Sequence, residues 1–102
     1  MALKRDNIGP SDEEALSILC NSHRRELLWL LGDEEVVSVE YAAEVINSVK
    51  PPTIVEQLLH HTHIPKMVEF GIVEYDYQSK KVEKGENFSN AYNALKLLTQ
   101  LP

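Results

Sequence analysis

Cysteine, glycine and long hydrophobic runs are all scarce in this chain of 102 residues. Cys20 is the only cysteine, which excludes an internal disulfide and any zinc site built from several thiolates. We expect Cys20 to be a small buried side chain. No apolar run approaches the ~20 residues that a membrane-spanning helix needs, and the first ten residues lack the apolar segment of a secretory signal. These absences predict a cytoplasmic protein with no membrane partner.

Basic residues are scarce as well, with ten Lys and Arg against sixteen Asp and Glu, so the formal net charge is −6. The charge is uneven along the chain. Residues 1–49 contain ten acidic and four basic residues, whereas residues 50–102 contain six of each. An acidic chain does not bind polyanions indiscriminately. The second half is therefore where a nucleic acid would be tolerated.

Capping residues and apolar periodicity predict a mainly helical chain with a small β-hairpin. The first predicted helix opens with a capping box of Ser11 and Glu14, and the second is capped by Ser22 and stopped by Gly32. A short strand at 36–39, a helix at Glu40–Ser48 and a long helix from Thr53 to Phe70 follow. Two strands at 72–77 and 81–84 then flank a turn at 78–80, and a final helix is capped by Ser89. Pro65 lies inside the long helix, where proline removes a backbone hydrogen bond. A kink near His61, or a junction between two helices at 63–64, is therefore expected.

This order of elements is that of a winged helix-turn-helix domain with five helices and a two- or three-stranded sheet. We place the domain at residues 11–86, after a flexible segment at 1–10 and before a C-terminal helix at 87–102. In this fold one helix lies in the major groove of DNA and the hairpin, or wing, flanks the backbone.

Two stretches of sequence resemble known families. Residues 64–73, Ile-Pro-Lys-Met-Val-Glu-Phe-Gly-Ile-Val, resemble the end of the recognition helix and the entry to the wing in ArsR-type and MarR-type regulators. The string His-Thr-His-Ile-Pro-Lys at 61–66, with Asn21–Arg25 upstream and residues 72–76 downstream, resembles a winged helix-turn-helix domain of unknown function from halophilic archaea. That resemblance covers residues 16–84. It implies the fold and a regulatory role, with no established ligand.

The fold and the resemblance together predict a DNA-binding transcriptional regulator with its recognition helix at 53–70 and its wing at 72–84. The residues expected to contact double-stranded DNA are Thr53, Gln57, His60, Thr62, His63 and Lys66 on the helix, Lys80, Lys81 and Lys84 on the wing, and Arg24 and Arg25 on the second helix. The recognition helix has no arginine for bidentate contact with guanine, and Glu56 would repel phosphate. The acidic first half favours the alternative, a winged helix that binds protein and does not contact DNA.

His60, His61 and His63 admit three interpretations: structural side chains, contacts to base or phosphate, and metal ligands. On a helix only His60 and His63, three residues apart, could share an ion. The structural interpretation is favoured, and no metal or other cofactor is expected. The sequence has no glycine-rich phosphate loop and no nucleophile motif, so an enzyme is not expected.

Apolar stripes on the first and last helices predict a homodimer, because a small domain cannot cover them fully on its own. The residues expected at the interface are Leu16, Leu19, Phe88, Tyr92, Leu95 and Leu98. The resemblance to ArsR-type proteins implies that these helices pair across a two-fold axis. In the alternative, a monomer, the last helix folds back onto the first helix of its own chain.

Overall fold

The computed structural model of the chain describes residues 12–100. Its elements are α1 (Asp12–Leu19), α2 (Ser22–Asp33), β1 (Val36–Ser38), α3 (Val39–Val45), α4 (residues 52–69), β2 (Val73–Asp76), β3 (Lys81–Lys84) and α5 (Phe88–Gln100). The described residues thus form five helices and a three-stranded sheet, which confirms the mainly helical class with a small sheet. The predicted segment 1–10 and the predicted cap Ser11 lie outside the described residues.

The ends of α2 differ from the prediction. Asn21, not Ser22, is the N-cap, and its Oδ1 accepts hydrogen bonds from the backbone N–H groups of His23 (2.9 Å) and Arg24 (3.2 Å). Gly32 does not stop the helix, which continues to Asp33. A Cβ atom at position 32 would collide with the ring and hydroxyl of Tyr92 on α5. Glycine at this position therefore permits close packing between two helices.

Helix α3 is shorter than predicted. The helix begins at Val39, with the Ser38 hydroxyl accepting from the backbone N–H of Tyr41 at 3.1 Å, and it ends at Val45 rather than Ser48. The N-cap of the next helix is Pro51, with no side-chain hydrogen bond, so Thr53 is not a cap. Proline at the first helical position, Pro52, fits because that residue needs no N–H partner.

A π-helical turn interrupts α4, which consists of Pro52–Leu58, the π turn Leu59–His63, and Ile64–Glu69. The backbone N–H of Ile64 bonds to the carbonyl of Leu59, five residues back. Pro65 has no N–H to continue the α-helical ladder, so the irregularity falls just before it. The predicted disturbance between His61 and Ile64 is confirmed as a π turn inside one helical stretch.

The sheet has the strand order β1-β3-β2, and both pairings are antiparallel. Val82 on the central strand lies opposite Val37 on one side and Tyr75 on the other. The predicted pairing of 72–77 with 81–84 is confirmed over Val73–Asp76. Alternation places Val37, Val73 and Val82 against the helices, where they are buried, and leaves Val36 exposed on the other face.

A single apolar core joins the sheet to the helices. Its largest completely buried side chains include Ile18, Leu27, Leu28, Leu31, Leu59, Ile64, Met67, Ile72 and Leu95. The C-terminal part of α4 packs against β2, so the hairpin is fixed relative to this helix. Within residues 12–100, no helix has the length and apolar character needed to cross a membrane.

Candidate functional site

An open pocket of about 310 Å³ lies between α4 and the turn that joins β2 to β3. It is lined by Thr53, Glu56, Gln57, His60, His61 and Lys80. The first five residues lie on successive turns of α4, and Lys80 belongs to the hairpin turn. We call this surface the α4–hairpin pocket. It brings together three predicted contacts from the helix, Thr53, Gln57 and His60, and one from the wing.

The hairpin turn is fixed by hydrogen bonds around Asp76 and Lys80. The Asp76 carboxylate accepts from the N–H groups of Gln78 (2.9 Å) and Ser79 (3.4 Å), and hydrogen bonding, chiefly from the Ser79 side chain, lowers the pKa of Asp76. Lys80 has a left-handed backbone, φ 57°, held by its N–H to the Asp76 carbonyl (2.7 Å) and by the Val39 N–H to its own carbonyl (2.9 Å). The Lys80 Nζ lies 4.0 Å from Glu56 Oε2.

Two tyrosines connect the hairpin to α4 beneath this pocket. The Tyr75 hydroxyl lies 2.6 Å from His60 Nδ1. The Tyr77 ring lies 4.6 Å from the Tyr75 ring and 5.9 Å from the His60 ring, centroid to centroid. Burial, followed by repulsion from Tyr77, Glu56 and Asp76, raises the pKa of Tyr75, so its hydroxyl stays protonated. The sequence analysis missed both tyrosines, although two aromatic residues two apart on a strand share one face.

His63 lies on the opposite side of α4, inside the core. Its side chain is only 6% exposed, its ring lies 5.5 Å from that of His23, and its Nδ1 is buried without a hydrogen-bond partner. Burial first, and then the nearby Arg24 and His23, lower the pKa of His63 to about 4. His23 is anchored through its Nε2, which lies 3.0 Å from Ser48 Oγ. The structure therefore removes His63 from the surface where it was predicted to meet DNA.

The two arginines predicted to contact DNA lie away from the α4–hairpin pocket, and one of them is bonded within the fold. Arg25 Nη1 donates to the Leu19 carbonyl at 2.6 Å, which satisfies the C-terminal end of α1. Arg24 is half-buried, its Nε has no hydrogen-bond partner, and burial lowers the pKa of its guanidinium. Neither arginine lines the α4–hairpin pocket.

The three wing lysines do not form one cluster. Lys80 and Lys81 lie at the tip of the hairpin and are exposed. Lys84 pairs with Val73 at the other end of β3, and its Nζ lies 5.4 Å from the centre of the Phe88 ring. Lys84 and Lys81 are three positions apart on the strand, roughly 10 Å. Thr62 is exposed and Lys66 half-buried, and neither lines the α4–hairpin pocket.

The predicted dimer residues divide between core and surface. Leu19, Phe88 and Leu95 are buried in the core of their own domain, and Tyr92 is half-buried against Phe88, with ring centroids 5.2 Å apart. Leu16 and Leu98 remain exposed, and so does Leu97. Helix α5 packs against α1 and α2 of the same chain. The exposed apolar area on these helices is thus smaller than the sequence predicted.

Metal ligands are not assembled in the part of the chain that the structure describes. No three His, Cys, Asp or Glu side chains there are arranged to hold an ion. His60 and His61 are close, with ring centroids 4.8 Å apart, but Nδ1 of His60 is engaged by Tyr75.

Cys20 is exposed, contrary to the prediction that it is buried.

A family profile, Domain of unknown function (DUF7344), matches residues 16–83. The chain belongs to this family. The DUF7344 match begins within α1 and ends within β3, so it includes every residue of the α4–hairpin pocket and leaves α5 outside. Comparison with curated proteins and with solved structures finds no match for the chain.

Proposed function

We propose that this DUF7344 domain is a winged-helix transcriptional regulator that binds double-stranded DNA as a homodimer. In this proposal α4 is the recognition helix and β2–β3 is the wing. The observation that supports it is the α4–hairpin pocket, where base-reading side chains of a helix and a lysine of a hairpin turn share one open surface. A helix in the major groove with a flanking hairpin would present the same two groups to DNA.

The chemistry of the pocket suits base edges better than phosphates. Thr53 and Gln57 offer neutral donors and acceptors on the first turns of α4, and the His60 imidazole adds ring nitrogens beside them. At the α4–hairpin pocket the lysine charge comes from the hairpin tip, where the exposed Lys80 and Lys81 would contact the backbone. Lys84, tied to Phe88, is left out of the proposed DNA surface, as are His63 and the two arginines.

Homodimer formation is proposed through the exposed leucines that remain after α5 has packed on α1. Leu16 on α1 and Leu97 on α5 are 51% and 65% exposed, and the neighbouring Leu98 is also exposed. A two-fold dimer presents the same patch twice and would place two α4 helices at the half-sites of a palindromic operator. Replacing Leu97 and Leu98 with Glu should yield folded monomers in sedimentation equilibrium, whereas Lys96→Glu on the same helix should not. A monomer mass for the unmodified protein at micromolar concentration would reject the dimer.

A protein-binding function without DNA contact is favoured by a second observation. Tyr41 and Val45 on α3, and Val49 beyond it, are apolar and exposed. Apolar side chains on an acidic domain suit a protein partner better than a polyanion.

Selection from random duplex DNA, at low and at high salt, distinguishes the two functions. We expect enrichment of a palindromic sequence, with affinity that falls as salt rises. A protein with Gln57→Ala should select a different sequence, whereas Thr62→Ala, outside the pocket, should select the original one. Failure to enrich any sequence at either salt concentration would favour the protein-binding function.

A further inference from the structure

The hydrogen bond between His60 and Tyr75 fixes the direction in which His60 can bond to a ligand. The Tyr75 hydroxyl is neutral, since its pKa is raised, and a phenol is a better donor than acceptor. The imidazole Nδ1, 2.6 Å away, is a good acceptor. A neutral imidazole that accepts at Nδ1 has its proton on Nε2. The free nitrogen of His60 is then a hydrogen-bond donor.

A hydrogen-bond acceptor, the Glu56 carboxylate, lies one helical turn before His60. Glu56 and His60 are four residues apart on α4, so their side chains are neighbours on the helix surface, and both line the α4–hairpin pocket. Lys80, at 4.0 Å from the Glu56 carboxylate, offsets its charge. The pocket therefore presents a carboxylate acceptor and an imidazole donor oriented by Tyr75, about one helical turn apart.

A guanine–cytosine pair has the complementary pattern in the major groove. Guanine presents only acceptors, N7 and O6, and cytosine presents the N4 amino donor, for which glutamate is a suitable partner. An adenine–thymine pair also presents a donor, the N6 amino group of adenine, but it lies between the acceptors N7 of adenine and O4 of thymine, so donor and acceptor are always adjacent there. In guanine–cytosine the N4 donor and the N7 acceptor lie at opposite ends of the exposed edge, which suits two side chains one helical turn apart. We propose that Glu56 and His60 select a guanine–cytosine pair, with Tyr75 as the positioning residue that keeps the proton on His60 Nε2. This inference rests on the proposed binding of duplex DNA by α4.

The tautomer is tested first, on the free protein. In the ¹⁵N spectrum of the folded, unmodified chain at alkaline pH, we expect Nδ1 of His60 to be unprotonated and Nε2 to be protonated. In Tyr75→Phe, which keeps the ring and removes the hydroxyl, both tautomers should be populated. A proton on Nδ1 in the unmodified protein would overturn the inference without any bearing on DNA binding.

Base preference is tested next, with duplexes that differ at single pairs of the selected sequence. The unmodified protein should prefer guanine–cytosine over adenine–thymine by about tenfold at one position in each half-site. His60→Phe, Tyr75→Phe and Glu56→Leu should each reduce that preference to about twofold or less. Glu69→Gln, at an exposed position of α4 outside the pocket, should retain it.

The outcomes separate the inference from the proposed function. The unmodified protein could select a duplex sequence while its guanine–cytosine preference persists in His60→Phe. That result would overturn the assignment of Glu56 and His60 and leave DNA binding intact. Absence of any sequence-selective duplex binding, with the expected His60 tautomer present, would overturn the proposed function and this inference together.

Discussion

Acidification should destabilise the domain through His63. Its pKa of about 4 in the folded protein lies below the ordinary value of 6.5, because burial and the positive Arg24 disfavour the charged ring. The unfolded chain therefore binds a proton that the folded chain does not, between pH 6.5 and pH 4. Folding stability is fully retained above pH 6.5 and falls as the pH drops through this window.

The size of this effect follows from the shift. The pKa difference between the folded and unfolded chain lowers the free energy of unfolding by about 3 kcal/mol at pH 4 and below. About 2 kcal/mol of this is already lost at pH 5. A domain of this size has a free energy of unfolding of about 5–15 kcal/mol, so the loss is measurable. The partnerless Nδ1 of His63 gives no hydrogen bond that would offset it.

Urea unfolding between pH 7.5 and pH 4.5, followed by Trp29 fluorescence, tests this reasoning. Trp29 is half-buried and in edge contact with Tyr92, 5.6 Å between centroids, so its emission should report unfolding. The free energy of the unmodified protein should fall by about 2 kcal/mol relative to that of His63→Leu between pH 7 and pH 5. Replacing the exposed, non-titrating Thr62 with Leu should leave the pH dependence unchanged. If the free energies of unfolding of the unmodified protein and of His63→Leu changed in parallel with pH, that result would refute the argument. An ordinary pKa for His63 measured by NMR would refute it as well.

Two further predictions concern the hairpin lysines and the contact of α2 with α5. Replacing Lys80 or Lys81 with Ala should weaken binding to all duplexes and reduce the salt slope of the dimer by about two units each, one per protomer, whereas Lys84→Ala should leave the slope unchanged; equal effects from all three would contradict the geometry. Gly32→Ala should lower the free energy of unfolding by about 1 kcal/mol despite the better helix propensity of alanine, because its Cβ meets the Tyr92 ring. In a Tyr92→Leu background the same substitution should be neutral or stabilising, and a loss of equal size there would show that Tyr92 is not the cause.

The parts of the fold that the sequence predicts well depend on local signals. Alternation of apolar and polar side chains is a property of neighbouring residues, and the hairpin pairing it predicts is confirmed. The role of Gly32 depends instead on its close approach to Tyr92, sixty residues later in the chain, which the local pattern around Gly32 does not contain. Asn21 and Ser22 are both good caps, so local preference alone does not choose between them.

The candidate site follows the same division between local signals and contacts distant in sequence. Thr53, Gln57 and His60 recur at helical spacing and do share one surface with Lys80. His63 was grouped with His60 because residues three apart are neighbours on an α-helix, but the π turn before Pro65 widens the angle between them. Tyr75 was missed because its significance depends on its contact with His60, fifteen residues away, which arises only when α4 packs against β2.

The acidity of the chain sets a limit on how this domain could bind DNA. The excess of negative charge lies in residues 1–49, whereas the α4–hairpin pocket is built from residues 53–80, in the half where acidic and basic residues balance. Glu56 and Lys80 offset one another, and only Lys80 and Lys81 are placed at the hairpin tip for phosphates. A dimer would then make about four lysine–phosphate contacts, for which the logarithm of affinity should fall against the logarithm of salt with a slope of about −4. Since so few ionic contacts give weak non-specific binding, affinity must come from base contacts and from joining two half-sites. A much steeper slope, or tight binding that ignores sequence, would place the DNA contacts on a surface other than the α4–hairpin pocket.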